Sequence, residues 1–120
     1  MPTVPLPTSS WRYGDPAMMA VLVATLSRGD DGALRAASKG AGEAGLLLVW
    51  PAGFFALSRE DGRVEVYNAD GQLSLSTGDL FRVGGGVQRW RHPESGPADV
   101  QAFLMNAWPF RLGPAPQFGQ

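Results

Sequence analysis

The sequence predicts an all-β fold: a small antiparallel β-barrel, closed or partly open, of about five to seven strands, with one short helix near the C-terminus. Three observations predict it. Turn signals recur about every eight to ten residues between Gly29 and Gly86, the spacing of sandwiches and small barrels. The stretches between them are short and either alternate apolar with polar residues or run continuously apolar, as half-buried and fully buried strands do. Gly 16 and Pro 10 punctuate a chain of 120 residues, which leaves little room for long helices.

Residues 1–16 are polar and Pro-rich, with Trp11 and Tyr13 near their end. They read as an extended arm whose order depends on the docking of those aromatics. Met18 to Ser27 is apolar and β-prone, and "RGDDG" after it carries the Asp-Gly of a hairpin. Ala33 to Ala37 returns, and "SKGAGEAG" is a loop. "LLLVW" (Leu46 to Trp50) is a buried strand ended by a Pro-Ala-Gly bend. Phe54 to Ser58, "RVEVYN" and "QLSLS" follow, separated by "REDG" and "ADG". Alternation sets Val64 and Val66 against Glu65 and Tyr67, and turns Leu73 and Leu75 inward. Leu80 to Val83 is a strand, then come Gly84-Gly85-Gly86, then Val87 to Arg91.

Past "HPESGP" the period changes. Val100, Phe103, Leu104, Ala107 and Trp108 fall at i, i+3, i+4, i+7 and i+8, one face of a helix over 97–108 with Pro97 at a permitted first-turn position. Pro109 ends it, Phe110 to Leu112 adds a last strand, and 113–120 is a tail. The predicted organisation is thus an arm (1–16), one barrel domain (17–112) and a tail. Its general shape is OB-like.

A chain of this length buries enough surface for one core without metals or disulfides. It has no cysteine, so disulfides, thiolate nucleophiles and thiolate metal sites are excluded. A net charge of −1 gives no field to draw nucleic acid or an anionic membrane non-specifically. The run Ala17 to Leu26 is too short to span a bilayer, and its flanks, with Asp15 before it and "SRGDDGA" after it, do not make a secretory signal. As written the chain reads as cytoplasmic, and the alternative is an exported domain of a longer precursor.

Catalytic inventories come up short. His92 is the sole histidine, and a metal site would need it to recruit Glu94 or Asp99. No G-x-S-x-G elbow occurs. The carboxylate pairs Asp30-Asp31 and Glu60-Asp61 each precede a turn glycine, where Asp is favoured for backbone reasons. Arg28-Gly29-Asp30, the tripeptide that integrins read, is explained by the same hairpin. No catalytic residue, metal or cofactor is expected, and the reading is non-enzymatic. The triple glycine lacks the following helix that a phosphate loop requires, so it reads first as a bend or close backbone approach and second as a ligand contact.

Candidate binding residues are therefore Trp50 and Phe54 at a barrel mouth, Gly84, Gly85 and Gly86 at the bend, and Arg82, Arg89 and Arg91 on the adjoining strand. Apolar walls with a few arginines suit a peptide, a glycan or a small anion. The alternatives are single-stranded nucleic acid on the arginines, and a structural role with self-association through a strand edge.

The succession "LLLVWPAGF", "GRVEVYNADGQL" and "GDLFRVGGG" resembles a group of small bacterial β-barrel proteins of unknown function, some of them exported or lipid-anchored. The similarity covers about Met19 to Gly86. The chain departs from the group's pattern near Ala33, where a cysteine is common, and at its amino end. The resemblance implies a barrel and transfers no catalytic residue.

Overall fold

The computed structural model describes residues 3–4, 6–9, 11, 20–29, 32–37, 45–90 and 100–114. These form ten strands: β1 (Thr3–Val4), β2 (Ala20–Arg28), β3 (Leu34–Ala37), β4 (Leu46–Val49), β5 (Phe55–Ser58), β6 (Val64–Tyr67), β7 (Leu73–Ser76), β8 (Asp79–Trp90), β9 (Val100–Met105) and β10 (Phe110–Pro114). Five of them close a barrel in the order β8-β2-β3-β4-β9, with β9 pairing back onto β8. All the ring pairings are antiparallel except β4 with β9, which is parallel. Strands β5–β7 are inserted between β4 and β8, and β1 from the start of the chain joins their edge to give a second, four-stranded sheet, β1-β5-β6-β7.

Three hairpins share one turn design. Gly29 N–H donates to Ala33 C=O (2.8 Å), Arg59 N–H to Arg63 C=O (2.8 Å) and Asn68 N–H to Gln72 C=O (2.9 Å). Inside each, a glycine N–H donates back to the first residue: Gly32 to Gly29, Gly62 to Arg59, Gly71 to Asn68. Those glycines have φ of +85°, +86° and +81°, the left-handed residue that completes a three-residue loop and its bulge. The Asp-Gly signal therefore marks a longer loop than the two-residue hairpin. Glu60 and Asp61 are exposed in the second such turn, and Asp61 Oδ1 accepts from Arg63 N–H at 3.0 Å. This is turn chemistry, as the sequence suggested. Asp30 and Asp31 lie outside the described residues.

One core joins the barrel and the second sheet. Leu26, Leu34, Leu48, Phe81, Val83, Phe103 and Met105 come from the ring, and Val4, Ala56, Val64, Val66 and Leu75 from the second sheet. Gly78, in the β7–β8 turn, donates its N–H to Leu26 C=O at 2.8 Å, a direct tie between the two sheets. Asp79 adds another. Its Oδ2 accepts from Ser76 N–H (2.9 Å) and pairs with Arg111 Nε (3.0 Å).

Two expectations are corrected. No helix is present among the described residues; Val100–Met105 is β9, and 97–99 lie outside them. β9 is hydrogen-bonded on both edges, and Ala102, Phe103 and Met105 are buried. A short strand enclosed in this way carries a continuous apolar run, which periodicity cannot separate from a helix face. Leu73 is the second. Leu75 is fully buried, but a register shift pairs Tyr67 with Leu73 and Val66 with Leu75, so the intervening Ser74 is extra and Leu73 turns outward, 54% exposed.

Candidate functional site

The triple glycine lies inside β8, where the barrel closes. On one edge β8 pairs with β2, from Leu80 to Gly85. On the other it pairs first with β10 (Asp79 to Arg82) and then with β9 (Gly85 to Trp90). None of the three glycines has a positive φ, so conformational freedom is not why they are there. At Gly85 a Cβ would collide with the Leu104 carbonyl oxygen and lie 2.7 Å from Phe103 Cε1. β9 approaches where a side chain would stand. At Gly84 a Cβ would find Ala107 Cβ at 3.6 Å and Ala20 O and Asn106 Oδ1 at 3.8 Å, which are ordinary contacts. Gly86 is buried opposite Leu104, which also pairs with Val49.

The residues named for a barrel mouth are packed by the protein's own chain. Trp50 is fully buried and Phe54 nearly so. Trp50 N–H donates to Pro7 C=O (2.8 Å), and Ser9 N–H donates to Trp50 C=O (2.9 Å), so the N-terminal arm lies along this segment. The Trp50 and Phe54 rings stack at 6.0 Å, and Trp108 meets Phe54 edge-on at 5.7 Å. Trp108 lies in the link between β9 and β10, just past Asn106, whose N–H still donates to Gly84 C=O of β8 at 3.0 Å. Trp50 and Phe54 thus offer no open surface to a ligand. Two polar atoms in this region, Trp50 Nε1 and Asn106 Oδ1, are buried without a hydrogen-bond partner.

The arginines separate. Arg89 is exposed, opposite Gln101 on the part of β8 that pairs with β9. Arg91, His92, Glu94 and Asp99 lie outside the described residues. Arg82 is exposed on the half of β8 that lies between β2 and β10, with its Cζ 5.7 Å from the centre of the Phe110 ring. Register puts Val23, Arg82 and Phe110 in one row across β2, β8 and β10, with Val21 and Gly84 two residues along on the same face. Val21 is 65% exposed, Val23 49%, Phe110 60% and Leu112, at the register shift in β10, 44%. These make up four of the seven large exposed hydrophobic residues described; Phe55, Leu73 and Val87 are the others.

Sequence reasoning singled out Arg82 and missed the apolar residues round it. "AVLVATL" reads as a buried strand, and nothing in it says that alternate valines face outward. A signal was available in Thr25 and Ser27, which share the parity of Val21 and Val23 and so mark that face as the outer one.

Among the described residues no three His, Asp or Glu side chains group to hold a metal ion, and no helix is long and apolar enough to cross a membrane. No protein-family model matches the chain, and neither curated proteins nor solved structures include a significant match. Fold and surface together define a class: a small all-β domain with a closed five-stranded barrel, carrying an apolar outer face centred on one arginine.

Proposed function

We propose that the protein is a non-enzymatic interaction module with an OB-like barrel, and that it binds through the outer face of β2, β8 and β10. The ring order supports the OB-like reading, because the first strand lies between the second and fourth and the third runs parallel to the fifth. The exposed row Val23–Arg82–Phe110, with Val21 and Leu112 beside it, carries the functional reading. Contiguous apolar residues around an arginine and an aromatic ring have the composition of an interface core, whereas singly scattered ones need no explanation. The protein should therefore bind the apolar probe bis-ANS while fully native, and the double variant Val23→Lys/Phe110→Ser should lose most of that binding without a lower melting temperature. Equal binding by both proteins would count against the face.

A second reading, single-stranded nucleic acid, draws on the same pair, since an exposed ring beside an arginine is a base-stacking arrangement. Its weakness is charge: backbone recognition takes several cations, and this face presents one.

A further inference from the structure

The three strands that build the face carry a single carboxylate, Asp79, and it is committed to Ser76 N–H and Arg111. Arg82 is held over Phe110 by a cation–π contact and forms no ion pair with another described residue. Its guanidinium therefore stands beside apolar side chains with five donors and, among the described residues, no carboxylate to receive them. A partner that covered Val21, Val23 and Phe110 without supplying an anion would bury an uncompensated charge, which is strongly unfavourable. A second copy meeting this face about a two-fold axis would do just that, since the same patch faces itself and would bring one Arg82 towards another.

Resting on the interaction-module reading above, we infer that this face docks a peptide segment of a different protein, one that presents a single Asp or Glu carboxylate to Arg82 and flanks it with apolar side chains. Arg82 supplies a planar, charge-assisted pair of hydrogen bonds. Phe110 holds the guanidinium in place beforehand and lowers the ordering cost. A partner lacking the acid is rejected by the unpaired charge it would leave.

The test uses the whole protein and a displayed library of random twelve-residue peptides, selected in parallel on wild type, Arg82→Glu and Val23→Lys. Peptides enriched on wild type should carry an acid among apolar residues. For one synthesised winner, changing that Glu to Gln, or the protein's Arg82 to Glu, should each weaken binding at least about tenfold. Changing the peptide's Glu to Lys should restore binding to Arg82→Glu. Winners without an acid, or winners that bind Arg82→Glu as well as wild type yet fail on Val23→Lys, would overturn the carboxylate inference and leave the face standing. No discrimination between wild type and Val23→Lys would overturn the face itself. A concentration-dependent dimer in light scattering that Val23→Lys abolishes, or oligonucleotide retention that Arg82→Glu abolishes, would replace the inferred occupant with a second copy or a nucleic acid.

Discussion

Gly84 and Gly85 are neighbours of identical chemistry with opposite structural demands. Gly85 is where β9 crosses too close for any side chain, so Gly85→Ala has to push the Leu104 carbonyl and the Phe103 ring aside. The expected cost is about 2–3 kcal/mol in urea unfolding, and Gly85→Val should cost more. Gly84→Ala meets only ordinary contacts and restricts the unfolded chain, so it should be neutral or stabilising by up to about 1 kcal/mol. If the two alanine variants were equally stable, the closure geometry would be wrong. Gly84→Ser is a sharper version. Its hydroxyl can donate to Asn106 Oδ1, now buried without a partner, and should raise the melting temperature above that of Gly84→Ala. Asp79→Ala removes a buried acceptor shared by Ser76 and Arg111 and should cost about 1–3 kcal/mol. Arg111 is half-exposed, so Arg111→Ala should cost less.

At the scale of elements, much of the strand pattern was readable and its tertiary setting was not. The alternation of "RVEVY" put Val64 and Val66 inward, and both are fully buried. The three D-G turns fell where glycine signals placed them, because only a residue free to adopt positive φ completes that loop. Gly62 and Gly71 have nothing within 4 Å of an added Cβ, so alanine at either should cost about 1–2 kcal/mol through backbone conformation alone; no loss at either position would show the loop to be misassigned. β9 was misread for a physical reason. Ala102 and Phe103, on opposite faces of the strand, are both buried, so β9 carries an apolar run whose spacing coincides with a helical face. Leu73 was misread because one extra residue, Ser74, reverses the alternation, and a bulge of that kind leaves no compositional mark. Of the candidate site, the exposure of Arg82 and the close backbone approach at Gly85 were legible. The burial of Trp50 and Phe54 depends on Pro7, Ser9 and Trp108, each more than forty residues from one or both of them in the chain.

At the scale of the whole molecule, the barrel closes only when β9 reaches β4, a pairing such as Leu47 with Ala102 that spans more than fifty residues. Such closure is entropically demanding, and Phe103 is its buried centre, so Phe103→Ala should cost about 3–5 kcal/mol and leave a far-ultraviolet spectrum without helical character. Placing the aromatic cluster inside and the valines outside moves the proposed recognition surface from the barrel mouth to its wall. The most direct measurement is a methyl-resonance titration of the protein with an acidic–apolar peptide selected as described. Val21, Val23 and Leu112 should shift with a common saturation curve that Arg82→Glu abolishes, while Leu48 and Val49 in the core stay in place. Shifts absent from those three residues, or unaltered by Arg82→Glu, would contradict an arginine-centred docking face.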